Sequence, residues 1–235
     1  MTISNFIKDN SDYFENYITR STYHSNAIEG STLSYAETYA ILFNDNSFKV
    51  SANPREIYEA INHKYALNYV LDNLDKPLNE NFIKNIAIQI NKNINEISGY
   101  RTTQVYIQGA EHIPPAPSQI NQLMMYYVYN YNNTEYDSVF DKVADKHLEF
   151  ERTHPFSDGN GRTGRLLINY ELLRNAIAPV IIPKEQRTEY FKIISENDFK
   201  ALSRFLEKLS KLEELQLEKF GYCNLDLTKT KNKRR

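Results

Sequence analysis

The sequence predicts a mainly helical protein, all-α except for one short β-hairpin. Only seven glycines occur among its 235 residues, and capping residues followed by apolar residues at helical spacing recur along the chain. Between residues 99 and 117 the pattern changes, because Val105 and Ile107 favour a strand and three prolines exclude a helix. We therefore expect a helical bundle with the hairpin inserted between two helices.

Caps and stop signals give approximate bounds for the helices. Ser34 and Glu37 have the spacing of a capping box, and Asn53 precedes a proline suited to the first helical position. Gly30 is a typical residue just past a helix end. The expected helices run from Ser11 to Gly30, Ser34 to Phe43, Asn53 to Leu74, Asn79 to before Gly99, Ser118 through Val128, Asp137 through Phe150, Lys184 to Glu196 and Phe199 to Phe220.

The most unusual stretch runs from His154 to Arg165 and reads HPFSDGNGRTGR. Its glycine-framed turn, residues 159–161, opens a helix, so that successive backbone N–H groups face one concavity that suits an anion. Arg162 and Arg165 lie three apart in the first helical turn, and both guanidinium groups project from one side of the helix. The stretch therefore predicts a site for a polyanion such as a nucleoside triphosphate.

Two further side chains of this stretch suit phosphate chemistry. Asp158 offers an oxygen ligand to Mg²⁺, which prefers one or two carboxylates together with phosphate oxygens and water. His154 is the natural general base for an attacking hydroxyl group. Phe156, between them, is expected to point into the core and to anchor the loop. His147, on the apolar face of the preceding helix, is expected to be a buried histidine of the core.

This stretch resembles the signature loop of the Fic family, His-x-Phe-x-(Asp/Glu)-Gly-Asn-Gly-Arg-x-x-Arg, at every specified position. The resemblance covers about residues 20–210 and implies the all-α Fic fold, with a hairpin, the flap, over the active site. It implies a protein adenylyltransferase that transfers AMP from ATP to a Ser, Thr or Tyr hydroxyl of a target protein or of itself. His154 would be the catalytic base, and Asp158 would hold the metal, Mg²⁺ or alternatively Mn²⁺. The ATP-binding residues implied in this loop are Asp158, Gly159, Asn160, Gly161, Arg162, Thr163, Gly164 and Arg165.

Two other segments resemble parts of the Fic family. In the expected flap, Gly109, Ala110, Glu111 and His112 would lie near the nucleotide, although His112 alone is equally typical of an exposed loop. The run from Pro183 to Tyr190 and the later Asn197 look like the segment that contacts adenine and ribose. This implies that Tyr190 and Asn197 bind the nucleotide, against the alternative of ordinary helix packing.

Residues Ser25 to Gly30 match the inhibitory motif of Fic proteins, (Ser/Thr)-x-x-x-Glu-(Gly/Asn). Glu29 would end a helix, where a negative charge is unfavourable unless a cation meets it. We expect that cation to be Arg165, which would then be withheld from the outermost phosphate. Ser25 and Glu29 are thus the inhibitory residues implied by the resemblance, and their position identifies the class with an N-terminal inhibitory helix.

Domain organisation follows from these motifs. We expect N-terminal helices with the inhibitory motif over residues 1–45, a Fic core over residues 46–220 and a basic tail over residues 221–235. The tail is rich in lysine and arginine, which is typical of a solvated chain end.

Composition limits the compartment and the partners. A net charge of −2 provides no general basic field for nucleic acid, and no apolar run reaches the length of a membrane span. The single cysteine, Cys223, excludes an internal disulfide and fits a reducing compartment, so a cytoplasmic protein is expected. The expected partners are ATP and a hydroxyl-bearing target protein, and a homo-oligomer is left open.

Three functions remain open at this stage. Transfer of AMP is the first, although phosphocholine or another nucleotide is used with the same signature. A family branch with lysine in place of the second glycine transfers phosphate, and Gly161 argues against that reaction. The second function is the reverse, in which Glu29 positions water to remove AMP from a modified protein. The third is a nucleotide-binding regulatory module without transferase activity.

Overall fold

The computed structural model describes residues 1–45, 49–107 and 112–223, and these residues form ten α-helices and one short 3₁₀ turn. The 3₁₀ turn, Lys184–Gln186, leads directly into the ninth helix. The α-helices are α1 (Ile3–Asp9), α2 (Ser11–Ile28), α3 (Tyr35–Phe43), α4 (Pro54–Leu71), α5 (Glu80–Asn91), α6 (Pro117–Asn133), α7 (Val139–Thr153), α8 (Asn160–Arg174), α9 (Arg187–Glu196) and α10 (Phe199–Lys219).

The helical class predicted from the sequence is confirmed, with corrections at several helix ends. Helix α1 is not predicted, because its seven residues are too few to show a helical period and it depends on packing of Ile3 and Phe6 in the core. Helix α5 ends at Asn91, well before Gly99. The caps of α6 and α7 are Ala116 and Ser138, one or two residues from the Ser118 and Asp137 expected.

The predicted β-hairpin is wrong for the described residues, since neither residues 99–107 nor residues 112–116 contain a strand. The two arms are joined by side-chain donors: Gln104 Nε2 donates to the Pro114 carbonyl at 3.0 Å, and Arg101 Nη2 donates to the Pro115 carbonyl at 2.6 Å. Prolines have no N–H group to contribute to a ladder, which explains why a backbone pairing does not form there. Gly109, Ala110 and Glu111, predicted near the nucleotide, lie outside the described residues, as does most of the basic tail.

Helix α8 passes between two apolar clusters. One cluster brings residues of α1, α2, α4, α5 and α6 against Leu166 and Tyr170 of α8. The other brings residues of α7, α9 and α10 against Ile168 and Leu172. Because apolar side chains point to both sides, α8 is buried along nearly its whole length. The glycine turn at its N-terminus is thereby held at a fixed place in the bundle.

Helices α7 and α8 approach closely at Gly164. A Cβ atom on Gly164 would lie 2.9 Å from Cε1 of His147 and 3.0 Å from Oε1 of Glu151. The missing side chain therefore lets the end of α7 and the start of α8 pack together.

No helix in the described part of the chain is both long and apolar enough to cross a membrane.

Candidate active site

A cleft of about 660 Å³ opens where α7 ends and α8 begins. The C-terminal end of α2 and the N-terminal end of α4 complete its walls. The residues that line it are Glu29, Gly30, Ser31, Thr32, Asn53, Arg55, Glu56, Glu59, His154, Ser157, Asp158, Gly159, Asn160, Gly161 and Arg162. The structure thus brings the predicted base, the predicted metal ligand, the glycine turn and Glu29, the predicted inhibitory residue, to one place.

His154 ends α7 in a left-handed backbone conformation, with φ 46° and ψ 60°. This conformation is unfavourable for a residue with a Cβ atom, so surrounding contacts must hold it. Arg101 supplies them, since its Nε donates to the His154 carbonyl at 2.8 Å and its backbone N–H donates to the Pro155 carbonyl at 2.9 Å. This role of Arg101 does not follow from the sequence, because the backbone conformation of His154 is not visible there.

The imidazole of His154 is suited to accept a proton. Burial lowers its pKa below the usual 6.5, and the positive charge of Arg101 acts in the same direction. The backbone of Glu151 and the carboxylates of Glu29 and Asp158 oppose this shift. The ring is therefore neutral at pH 7, which is the state a general base requires.

The loop between His154 and α8 is locked by Asn160. Its Oδ1 accepts from the Phe156 N–H and its Nδ2 donates to the Phe156 carbonyl, both at 2.9 Å. Phe156 is completely buried, as predicted, and its burial contributes about 1.5–3 kcal/mol. The Asn160 side chain is therefore used to shape the loop, while its backbone N–H remains at the start of the helix.

Gly159 is required by both its backbone and its surroundings. Its φ of +74° favours glycine, and a Cβ atom there would lie 2.8 Å from Asn91 Nδ2 and from Ile90 Cγ2. Asn91 also donates to the Asp158 carbonyl at 3.1 Å. The end of α5 therefore supports the glycine turn from behind, a role that sequence analysis did not assign to Asn91.

Asp158 belongs to a closed ring of four charged side chains, here called the arginine–carboxylate ring. Its Oδ2 accepts from Arg55 Nη2 at 2.8 Å, and its Oδ1 lies 3.3 Å from Arg162 Nη2. Glu59 Oε1 closes the ring, 3.2 Å from Arg162 Nη1 and 3.0 Å from Arg55 Nε. Arg55 and Glu59 of α4 were not among the predicted site residues. Their contribution depends on a contact between segments about a hundred residues apart.

The predicted metal position is consistent with this geometry only when a phosphate is also present. Asp158 is the carboxylate of the signature loop that faces the cleft, and 26% of its side chain is exposed. Among the described residues no three His, Cys, Asp or Glu side chains are grouped as metal ligands. Mg²⁺ often binds one carboxylate with the oxygens of a bound phosphate and water, so Asp158 fits a metal that arrives with a nucleotide.

Arg165 is held on the other side of the turn by the end of α2. Its Nη2 donates to Glu29 Oε1 at 2.8 Å and to the Ser25 carbonyl at 2.9 Å, and its Nε donates to Ser25 Oγ at 3.0 Å. A Cβ atom on Gly161 would collide with Glu29 Oε1 and lie 3.0 Å from Arg165 Nη1. The structure thus contains the predicted contact between Glu29 and Arg165. It also shows that Gly161 makes room for it.

Several predicted nucleotide-binding residues do not reach the cleft. Thr163 is fully buried, and Gly164 lies in the contact between α7 and α8. Tyr190 is fully buried and its hydroxyl bonds His147 Nε2 at 2.7 Å, so no base can stack on it in this arrangement. Asn197 ends α9 in a left-handed conformation, outside the cleft lining. His112 is held by the Arg152 carbonyl at 2.8 Å. In this arrangement Tyr190 is packed in the core, and its binding to a nucleotide stays a prediction.

Two buried polar side chains, His147 and Glu151 of α7, lie behind the cleft. His147 is a core histidine, as expected, and burial lowers its pKa to about 3. Burial raises the pKa of the nearby Glu151 to about 7, with Glu29 adding to the shift and Arg165 opposing it. His147 Nε2 and Glu151 Oε1 are 3.7 Å apart. The Glu151 carboxyl group is therefore partly protonated at neutral pH.

We expect Glu151→Gln to make the protein more stable than the wild type at pH 8 but not at pH 4.5. The folded protein keeps the Glu151 proton up to about pH 7, whereas the unfolded chain releases it near pH 4.5. The stability of the wild type therefore falls as pH rises through that window, by about 3 kcal/mol, and glutamine removes the fall. Urea unfolding at both pH values measures the effect. Glu189→Gln, an exposed position on α9, is the control, and an equal response of both variants would contradict the prediction.

Comparison with known proteins identifies relatives of the chain. Residues 77–172 match the profile of the Fic/DOC family. Proteins named protein adenylyltransferase Fic from Drosophila willistoni and Drosophila melanogaster are 36% and 35% identical to this chain over 197 and 202 residues. Both alignments cover 78% of this chain, which spans only 38% and 39% of the length of these relatives.

Solved structures share the fold. A Fic domain containing signaling protein from Bacteroides thetaiotaomicron superposes with a TM-score of 0.78 at 22% identity, covering 93% of this chain and 91% of that one. Fic-1 from C. elegans superposes with a TM-score of 0.75 at 28% identity, covering 98% of this chain and 68% of that one. The resemblance predicted from the signature loop is confirmed. Residues 77–172 therefore form a domain of the Fic/DOC family.

Proposed function

We propose that this protein is an adenylyltransferase that moves AMP from ATP to a hydroxyl group of a target protein. The observation that carries the proposal is that His154, Asp158 and the glycine turn line one cleft, with Glu29 in contact with the arginine behind that turn. The names of the relatives support AMP as the transferred group. The modified residue would be a serine, threonine or tyrosine.

The chemistry assigns one role to each element of the cleft. The target hydroxyl oxygen attacks the α-phosphorus, the bond from that phosphorus to the bridging oxygen breaks, and pyrophosphate leaves. The neutral imidazole of His154 takes the hydroxyl proton. Backbone N–H groups of Asn160 and Gly161 and the guanidinium of Arg162 hold the inner phosphates, whereas the Gly159 N–H donates to Asp158 Oδ1. Mg²⁺ or Mn²⁺ at Asp158 would neutralise phosphate charge.

The contact between Glu29 and Arg165 would make the resting enzyme nearly inactive. While Glu29 occupies its Nη2, Arg165 cannot grip the outermost phosphate. ATP then lacks a contact that orients its phosphates for attack in line with the leaving group. The two hydrogen bonds that Arg165 donates to Ser25 keep its guanidinium group in place whether or not Glu29 is present. Release of Glu29 would therefore expose an arginine that is already positioned.

Removal of AMP from a modified protein is a second candidate. The specific observation is that the Glu29 side chain is 34% exposed and lines the same cleft as His154. A carboxylate in that position can orient a water molecule toward a phosphodiester. In this reaction Glu29 would be required for activity, whereas in AMP transfer it would oppose activity.

Labelled ATP distinguishes these functions. Wild type and Glu29→Gly are incubated with Mg²⁺ or Mn²⁺ and with ATP labelled at the α- or the γ-phosphate. AMP transfer incorporates label from α-labelled ATP only, and incorporation from γ-labelled ATP would indicate phosphate transfer. Loss of AMP from a previously modified protein, seen with wild type and absent in Glu29→Gly, would favour the reverse reaction. ATP binding without any covalent modification in either variant would favour the third function, a nucleotide-binding regulatory module without transferase activity.

A further inference from the structure

We propose that Arg55 is a nucleotide-binding residue that exchanges Asp158 for a phosphate oxygen when Mg²⁺ occupies Asp158; the inference rests on the proposed binding of Mg·ATP. Arg55 lies in the first turn of α4 and lines the cleft. A cation at a helix N-terminus is unfavourable, because it faces the positive end of the helix dipole. Glu56 in the same turn and Glu59 one turn later offset part of this cost, and the side chain of Arg55 also lines the cleft, where an anion can meet it.

Both arginines among the described residues that line the cleft are paired with carboxylates. Among the described residues that line it, two arginines, Arg55 and Arg162, face four carboxylates, Glu29, Glu56, Glu59 and Asp158. Arg165 lies behind Gly161 and its Nη2 is occupied by Glu29. Mg·ATP itself carries a net negative charge. It therefore finds no unpaired arginine among the described lining residues unless one of the two exchanges a carboxylate partner for a phosphate oxygen.

Arg55 is the arginine of the ring that can be released. Its side chain is 53% exposed, whereas that of Arg162 is 3% exposed and lies between Glu59 and Asp158. Rotation of the Arg162 side chain would expose a buried guanidinium group and break its ion pair with Glu59. The Arg55 side chain can rotate because about half of it is already exposed to solvent. The hydrogen bond that its Nε donates to Glu59 keeps the guanidinium group near the cleft.

The metal supplies the trigger for this exchange. Asp158 Oδ1 already accepts from the Gly159 N–H at 2.6 Å, and its other oxygen, Oδ2, accepts from Arg55 Nη2 at 2.8 Å. Asp158 would hold the metal with this carboxylate, and the Nη2 group of Arg55 would then lose its acceptor to the metal. The phosphate oxygens that arrive with the metal then become its acceptors, and a charge-assisted hydrogen bond to a phosphate replaces the one to the carboxylate.

Calorimetric titration of ATP, with excess Mg²⁺ and separately with EDTA, tests the exchange. For Arg55→Ala we expect the Kd of ATP to rise about tenfold with Mg²⁺, the effect of one charge-assisted hydrogen bond. With EDTA we expect a change of less than about twofold, because without metal Arg55 stays on Asp158 and contributes nothing to the nucleotide. Arg55→Lys, which keeps the charge without the fork of donors, is expected to lie between the two.

The controls separate this role from others. Arg204→Ala, an exposed position on α10 outside the cleft lining, removes the same charge and should leave both affinities within about twofold of wild type. Thermal unfolding shows whether each variant folds. If Arg55→Ala is unstable, the affinities with Mg²⁺ and with EDTA are compared in Arg55→Lys.

The outcomes are distinct. An equal loss with and without Mg²⁺ would show that Arg55 only shapes the cleft, and a gain with Mg²⁺ would show that it only competes with the metal. Either result overturns the inference, as does Mg·ATP binding that is unchanged in Arg55→Ala. Wild-type protein that fails to bind ATP in both conditions would instead refute the proposed function, and this inference with it.

Discussion

Replacing His154 is expected to lower the rate of AMP transfer by about 10²–10⁴-fold while the affinity for Mg·ATP stays within about twofold. The imidazole acts on the proton of the attacking hydroxyl and is not needed to hold a phosphate. The appropriate background is Glu29→Gly, in which the basal rate is high enough to measure a loss of this size. Incorporation of α-labelled AMP gives the rate, and calorimetry gives the affinity.

The choice of substitution at His154 matters, because the residue has a left-handed backbone conformation. Alanine would be strained there, whereas asparagine tolerates this conformation and cannot act as a base. His154→Asn therefore separates the loss of the base from a change in the loop. His24→Ala on α2, outside the cleft lining, is the matched control. Undiminished transfer by His154→Asn would refute the assignment of the base.

The pH dependence of the same reaction checks the protonation state. Burial lowers the pKa of His154 below 6.5, and removal of the Glu29 carboxylate takes away one of the groups that oppose this shift. The imidazole loses its role as a base only when it is protonated, at pH values below that pKa. The acid limb of kcat/KM for Glu29→Gly should therefore lie below pH 6.5.

The second large effect concerns Glu29, whose replacement by glycine should raise AMP transfer about tenfold to a hundredfold. A resting state populated at 99 to 1 requires a stabilisation of about 2.7 kcal/mol. Losing one partner of a fully buried ion pair costs about 3–5 kcal/mol, and an exposed pair contributes about 0–1 kcal/mol. Arg165 is 8% exposed and Glu29 is 34% exposed, so their contact falls between these limits. A single pair is therefore sufficient for most of the inhibition.

Two further variants test whether Arg165 mediates this effect. Glu29→Gln keeps the size of the side chain and removes its charge, so it should activate less than glycine but in the same direction. Glu29→Gly combined with Arg165→Ala should remain slow, because the arginine that is released is then missing. Transfer rates at saturating ATP and Mg²⁺ decide the matter. An unchanged rate in Glu29→Gly would make Glu29 an ordinary residue at a helix end.

Local sequence patterns were sufficient for the helical class, the glycine turn and the family. Caps such as Ser34 with Glu37 act within four residues, and both reciprocal hydrogen bonds of that box are present. The signature loop is likewise local: its Asn160 bonds the backbone of Phe156, four residues away. Interactions of this range depend on neighbouring residues alone, so they can be inferred before the fold is known.

Contacts between distant segments were decided by the tertiary structure. Arg55 reaches Asp158 across 103 residues and Arg101 reaches the His154 carbonyl across 53, and neither pairing follows from charge or spacing in the chain. The contact of Glu29 with Arg165, 136 residues apart, was expected only because a family resemblance supplied it. The burial of Tyr190 and its hydrogen bond to His147 were likewise visible only in the folded chain. The burial of a side chain depends on every element that packs around it, and only the folded chain brings those elements together.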